Sequence, residues 1–319
     1  MTKVLHGSVS ILEELAKEWD AKSVLLVMGR EQRVVPDLPA LIVNVSPNPD
    51  QDALRHLDEE VAALGVEPDL VVGVGGGSAM DVAKVAASQR DLPCFVAPTT
   101  AGTGAEVTPF ATVYRDGVKE SVGCRAPWYA VLDPELTMTM PREVAASSGL
   151  DALCQGIESL WSIKSTAESR AYSRECIRLA VDNIHSSVDR PTVDNRRAML
   201  QAANLSGRAI AIAGTTLAHA MSYRLTSQHG IPHGIAVARM IDEVLVQNFQ
   251  VTAGDCADPR GPAWVKERCD EVSKAVQWFG GVTDIMDNLG VQPVFDQAGQ
   301  YDWSRADPVR AANNTRRLT

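Results

Sequence analysis

The chain has 319 residues, of which 45% are hydrophobic and 22% charged, and its net charge is −10. That length predicts a sizeable core and two domains, and the acidic balance argues against a general binder of nucleic acid or of anionic membranes. The six cysteines, Cys94, Cys124, Cys154, Cys176, Cys256 and Cys269, include no CxxC pair, which predicts reduced packing thiols and no thiolate metal site. Met1 opens no signal-peptide apolar core and no run reaches the ~18 apolar residues of a membrane span, so the expected location is the cytoplasm.

In chain order, Ser8 to Trp19 carries Ile11, Leu12, Leu15 and Ala16 on one helical face. Ser23 to Met28 is an apolar run ending at Gly29 and reads as a buried parallel strand, and Leu41 to Val45 reads as a second strand, closed by Ser46-Pro47-Asn48-Pro49-Asp50, which is turn chemistry and then a helix start. A helix is expected from Gln51 to Leu64, then a strand at Asp69-Leu70-Val71-Val72. This strand runs into Gly73-Val74-Gly75-Gly76-Gly77-Ser78, after which Met80, Val82, Ala83, Val85 and Ala86 suit a helix packed on the sheet, with Ser78 as its expected N-cap. Pro93 to Pro98 is a further strand. Strands alternating with helices predict an α/β Rossmann-like domain with a parallel sheet, whose ligands sit at the carboxyl ends of the strands.

Two of those ends are rich in small and hydroxyl residues. Consecutive glycines at 75 to 77 remove the Cβ atoms and expose the first N–H groups of the following helix, a place for a phosphate. No Gly-Lys-Ser/Thr follows, which argues against a triphosphate loop, and a turn needed only for close helix–strand packing is the competing reading. The second end is the loop Pro98-Thr99-Thr100-Ala101-Gly102-Thr103-Gly104-Ala105-Glu106-Val107-Thr108, suited to the rest of a nucleotide.

From Arg142 onward β-branched runs thin out, and helices are expected at Ala145 to Trp161, Thr166 to Ser187, Asp194 to Ala213, Gly234 to Gln250 and Pro262 to Asn288, entered through Asp133-Pro134-Glu135-Leu136. The predicted division is 1–141 for the nucleotide-binding α/β domain and 142–319 for an all-helical metal- and substrate-binding domain. Asp151 and Gln155 are one turn apart on one helix face. His219 and His233 lie further on and, together with Asp151, could meet on a divalent metal with Gln155 as a weak oxygen ligand. Taken singly, a helix cap accounts for Asp151 and a satisfied core or surface position for each histidine.

Gly75-Gly76-Gly77-Ser78 with Asp81 and Lys84, the loop at Pro98 to Glu106, Gly149-Leu150-Asp151-Ala152-Leu153 and Pro232-His233-Gly234 together resemble the iron-containing (group III) alcohol dehydrogenases, in the family's order and nearly end to end. The resemblance implies a dehydroquinate synthase-like architecture with a nicotinamide cofactor and a divalent metal, Fe2+ or Zn2+. Carried over by position, the metal ligands are Asp151, Gln155, His219 and His233, with Asp151, His219 and His233 catalytic. The cofactor positions are Gly29, Gly75, Gly76, Gly77, Ser78, Asp81, Thr99, Thr100, Gly102, Thr103 and Lys119. Members of the family usually continue into a final helix beyond the point where Thr319 stands.

Position 155 is usually His in the family, and an amide oxygen binds such metals more weakly than imidazole. Tyr223 stands where many members carry a further His. Asp151 to Ser162, Thr215 to Tyr223 and Cys256-Ala257-Asp258-Pro259-Arg260-Gly261 resemble a subgroup, the phosphonoacetaldehyde reductases, which make 2-hydroxyethylphosphonate. Gly214 departs from that subgroup, where a basic residue is expected. A phosphonate needs cations or N–H donors, and Arg224, Lys164 and Arg125 are the candidates, with His229 considered as proton donor. Gly29, where NAD-selective members carry Asp, and the adjacent Arg30 favour NADPH over NADH. The expected activity is a metal-dependent aldehyde reductase or alcohol dehydrogenase working as a homodimer. A lyase or synthase on the same architecture and a metal-free nucleotide-binding protein are the alternatives.

Overall fold

The computed structural model describes residues 1–29, 36–46, 49–63, 65–115, 118–291 and 313–315. Features expected on Arg30, Glu31, Pro47, Asn48, Leu64, Ala312 and Arg316 to Thr319 lie outside them. Two compact units divide the chain, one comprising Met1–Met140 with Thr192–Leu200 and the other Pro141–Pro191 with Gln201–Thr319.

The first unit contains β1 (Lys3–His6), α1 (Ile11–Glu18), β2 (Val24–Gly29), β3 (Ala40–Val45), α2 (Gln51–Ala63), β4 (Leu70–Gly75), α3 (Gly77–Arg90), β5 (Cys94–Pro98), β6 (Phe110–Arg115), β7 (Val118–Gly123) and β8 (Tyr129–Leu132). Six strands form a parallel sheet in the order β1-β8-β5-β4-β2-β3, and β6 and β7 pair separately as an antiparallel hairpin. Alternate strand residues leave by opposite faces. Leu25, Val27, Val71 and Val96 meet Leu57 and Val61 of α2 and the buried side of α3. Leu26, Val72, Val74 and Phe95 meet Leu12 and Ala16 of α1. Burial on both faces is why β2, β4 and β5 read as continuous apolar runs.

The glycines after Val72 divide into two kinds. Gly73 and Gly75 are inside β4, where a Cβ would lie 2.8 Å from that of Ala83 and 2.7 Å from that of Ala79. They serve the close crossing of α3, in line with the packing reading. Gly76, with extended backbone, is the N-cap of α3, so the cap is not Ser78, which falls in the first helical turn. Asp50 caps α2, accepting from the Ala53 N–H at 2.8 Å.

The second unit holds α4 (Arg142–Trp161), α5 (Ala167–Asp189), the later part of α6 (Val193–Ala213), α7 (Leu217–His229), α8 (His233–Phe249), α9 (Pro262–Val276) and α10 (Val282–Asn288). Helix α4 is buried almost continuously from Ala145 to Trp161, with α5 and α8 against it. Gly156 admits α5, since a Cβ there would meet Cys176 Sγ at 2.9 Å. The single helix expected from Pro262 to Asn288 is broken at Gly280-Gly281, where Gly280 has φ +89°. Helix α10 then starts under Asp242 of α8, whose carboxylate accepts from the Val282 and Thr283 N–H groups at 3.1 and 2.7 Å. Among the described residues, no helix is long and apolar enough to cross a membrane.

Candidate metal centre and cofactor turn

Asp151 sits in the middle of α4, which rules out its role as a helix cap. Its carboxylate and the rings of His219 and His233 bring one ligand atom each to within 4.8 Å of one another. His219 Nε2 is 3.2 Å from Asp151 Oδ1, and His233 Nε2 is 3.9 Å from the same oxygen. Two imidazole nitrogens and a carboxylate oxygen, converging while the other His219 nitrogen is held elsewhere, are a donor set that fits a divalent ion. The side chains of Asp151 and His219 are 5% and 4% exposed and that of His233 24%, so the centre opens on the His233 side.

Each ligand is delivered by local backbone chemistry. His233 opens α8 beside Gly234, where a Cβ would fall 1.8 Å from the Ser147 carbonyl oxygen and 2.9 Å from the Asp151 nitrogen. Only glycine lets the start of α8 lie on α4, and that contact carries His233 to Asp151. His219 stands in the first turn of α7 and is gripped by Glu158 of α4. The Glu158 carboxylate takes His219 Nδ1 and accepts from Thr216 Oγ1 at 2.5 Å and from the Ala218 N–H at 2.8 Å. Trp161 Nε1 donates to Thr216 Oγ1 at 3.0 Å. Burial opposes charge on both partners of the pair, but their mutual attraction prevails: Glu158 is held below the usual carboxylate range and His219 above the usual imidazole one. Metal-binding histidines are commonly oriented in this way, by a carboxylate on the far ring nitrogen.

Glu158 and Thr216 are not anticipated from the sequence. Only their spacing to one another in three dimensions marks them. Gln155 is buried one turn beyond Asp151, and its Oε1 accepts from Ser206 Oγ at 2.9 Å. The Tyr223 ring lies 6.0 Å from that of His233. Of the cationic candidates, Arg125 pairs with Asp91 and Lys164 is exposed, and the Arg224 side chain is outside the described ones. His229 is exposed at the far end of α7.

In the first unit the structure brings the two predicted loops together. The Thr99 N–H donates to the Gly75 carbonyl at 2.9 Å. A Cβ on Gly76 would be 3.4 Å from Thr100 Oγ1, and one on Gly77 would be 2.9 Å from Thr103 Oγ1. Gly29 ends β2 beside Gly75, whose Cβ would be 3.1 Å from the Gly29 nitrogen. The sheet order reverses between β2 and β4, and a crevice outside such a switch point is where this class of sheet binds nucleotides. Asp81 is turned inward: it pairs with the buried Lys84 at 2.8 Å and accepts from the Thr112 N–H at 2.8 Å. Lys84 also donates to the Phe110 carbonyl at 2.5 Å and to Thr108 Oγ1 at 3.1 Å. Gly102 belongs to the same loop, and Lys119 lies on β7 with its side chain outside the described ones.

Residues 2–134 match the iron-containing alcohol dehydrogenase model, and residues 145–299 match the C-terminal model of the Fe-containing alcohol dehydrogenase family. A phosphonoacetaldehyde reductase of Streptomyces viridochromogenes is 37% identical over 70% of this chain and 68% of its own. A 1-propanol dehydrogenase of Salmonella typhimurium is 33% identical over 77% of this chain and 71% of its own. An iron-containing alcohol dehydrogenase structure from Thermotoga maritima superposes with a TM-score of 0.84 at 29% identity, covering 100% of this chain and 94% of that one. A sulfoacetaldehyde reductase from Bifidobacterium kashiwanohense in complex with NAD+ superposes with a TM-score of 0.81 at 25% identity, over the same shares. The chain belongs to the iron-containing alcohol dehydrogenase family and is an NAD(P)-linked alcohol dehydrogenase or aldehyde reductase.

Proposed function

We propose that this enzyme reduces a short aldehyde carrying an anionic oxyacid group, with phosphonoacetaldehyde as substrate and 2-hydroxyethylphosphonate as product. The observation that carries the reaction class is the buried Asp151, His219 and His233 cluster. The substrate is supported by the names of relatives: the phosphonoacetaldehyde reductase at 37% identity and the sulfoacetaldehyde reductase at 25% are both named for aldehydes with a tetrahedral anionic group.

In this reading Asp151, His219 and His233 hold the metal, with the Gln155 amide as the weak fourth position. A divalent ion there supplies Lewis-acid polarisation of the aldehyde oxygen, and a nicotinamide supplies the hydride. Glu158 keeps the proton on His219 Nδ1 and so leaves Nε2 as the donor nitrogen. The Gly76-Gly77 turn and Ser78, at the N-terminus of α3, meet the pyrophosphate, and Thr99, Thr100, Gly102 and Thr103 cover it. Among the described residues nothing lies within 4 Å of a would-be Cβ on Gly29, and the lack of an acidic side chain there favours NADPH. Residues 1–141 are the nucleotide-binding domain and 142–319 the metal- and substrate-binding domain of a cytoplasmic homodimer.

The test is NADPH consumption with phosphonoacetaldehyde, sulfoacetaldehyde and propanal, each with Fe2+ or Zn2+ supplied. Preference for the phosphonate aldehyde is expected. Equal rates with propanal would overturn the substrate, and no consumption with any aldehyde would overturn the reductase.

A further inference from the structure

Three consecutive polar residues of the second unit, Asn313, Asn314 and Thr315, are 5%, 2% and 0% exposed. Burying polar groups is unfavourable unless they find partners, and the two asparagine amides and the Thr315 carbonyl engage separate segments, while the Thr315 hydroxyl meets no partner among the described residues. Asn313 Nδ2 donates to the Thr215 carbonyl at 3.2 Å, and the Asn313 carbonyl accepts from the Ile163 N–H at 3.1 Å. Asn314 exchanges amide hydrogen bonds with Asn248 near the end of α8, at 3.2 and 3.4 Å. The Thr315 carbonyl accepts from the Ala257 N–H at 2.8 Å.

The contact to Thr215 falls where it bears on His219. Gly214-Thr215-Thr216 is the turn from α6 into α7, and His219 is in the first turn of α7. Gly214 has φ +66°, and a Cβ on it would sit 2.9 Å from Asn313 Nδ2. The space a basic residue at this position would need is therefore taken by the Asn313 amide. From the other side, α4 holds the same turn: Ser162 Oγ donates to the Ala213 carbonyl at 2.7 Å and Ser159 Oγ to that of Gly214 at 3.4 Å. Thr216 completes the grip through Glu158 and Trp161.

We infer that Asn313 positions the metal centre, as the one residue of the buried Asn313-Asn314-Thr315 strap that holds the turn before His219, while Asn314 and Thr315 only anchor the strap to Asn248 and Ala257. By holding the Thr215 carbonyl, Asn313 fixes the start of α7 and so the direction in which His219 presents Nε2 to Asp151 and His233. This rests on the reading of those three residues as a divalent-metal site. Asn313 acts only through the turn, as a positioning residue.

The test is a Co2+ titration of the metal-free full chain, followed by visible absorption, together with its melting temperature. Asn313→Ala is expected to weaken Co2+ binding about three- to tenfold, short of the effect of losing a direct partner of a ligand, and to shift the absorption bands. Asn314→Ala, which breaks the pair with Asn248, is expected to lower the melting temperature comparably and leave Co2+ binding unchanged. Parental affinity and spectrum in Asn313→Ala would overturn the inference, and so would losses of affinity in both variants that follow their melting temperatures. Should Asn313→Ala not fold, Asn313→Asp takes its place, with the same shape but a carboxylate facing the Thr215 carbonyl. A parent chain that takes up no Co2+, or keeps it after Asp151→Asn, would instead sink the metal-site reading and the strap's role with it.

Discussion

Glu158 holds His219 by ring and backbone at once: its carboxylate takes Nδ1 and also accepts from the His219 N–H at 3.3 Å. Glu158→Gln keeps the volume but loses the charge and the unambiguous acceptor. Metal affinity should fall about 10- to 100-fold, the range seen when such partners are removed. Competition against a chelator of known affinity measures it. Unchanged affinity would show that His219 needs no such support.

The same pair gives the metal-free protein a pH signature. His219 is raised from its ordinary 6.5, because the carboxylates of Glu158 and Asp151 outweigh the burial that opposes its charge. Its stabilising contribution is therefore full below that value and lost as pH rises through the higher folded one. Glu158 is lowered from 4.5, since His219 and the hydrogen bonds outweigh burial, so its contribution is present above 4.5 and lost as pH falls through the lower folded value. The pair stabilises most between those limits. The melting temperature of the apo form should decline on the alkaline side, and Glu158→Gln should flatten that decline. A variant with the parental pH profile would exclude the pair as its cause.

Lys84 has no exposed side-chain surface and joins Asp81 to Thr108 and Phe110. Lys84→Met leaves the Asp81 carboxylate without its cation, for a loss of about 3–5 kcal/mol. Because Thr108 closes the loop that begins at Thr99, a weaker hold on the nicotinamide cofactor should accompany it. Chemical denaturation and cofactor fluorescence report the two effects.

Two glycines at adjoining strand ends should respond in opposite ways. Gly75→Ala drives a Cβ to 2.7 Å from that of Ala79, and overpacking of this kind costs about 1–3 kcal/mol. Among the described residues nothing crowds a Cβ at Gly29, so Gly29→Asp should fold normally and shift the cofactor preference toward NADH by roughly 10- to 100-fold, through repulsion of the 2′-phosphate. The ratio of kcat/KM for the two cofactors checks this.

Burial pushes the Cys94 and Cys269 thiols up to about 12, and Cys154 and Cys176 are raised as well. Thiolate is the reactive form, so iodoacetamide at mildly alkaline pH should label the partly exposed Cys256 ahead of these four in the native protein. Peptide mapping of early label at Cys154 or Cys176 would contradict the helix packing described.

The strands legible in the sequence are β2, β3, β4 and β5: three are buried on both faces, where a short unbroken apolar run bounded by turn residues suits a strand covered from both sides, and β3 keeps an apolar run although Ile42 is exposed. The short outer strand β1 carries polar Lys3 and His6 at its ends, and β8 has only four residues. The hairpin strand β6 alternates in burial from Phe110 to Tyr114, a pattern that the hydroxyl-rich loop before it obscures. Asp151, His219 and His233 are legible by family resemblance, whereas their support is not. Glu158 meets Thr216 across 58 positions of sequence, and a glutamate on a helix carries no local sign that its carboxylate is buried. The cap of α3 falls on extended Gly76 although hydroxyl residues such as Ser78 more often take that position.

Asp242 caps a helix to which it does not belong. With seven residues and no N-cap side chain of its own, α10 is too short to persist alone in water. Its first N–H groups find these acceptors only where α8 lies alongside, so α10 depends on α8 for its stability: any opening that draws Asp242 away also uncaps α10.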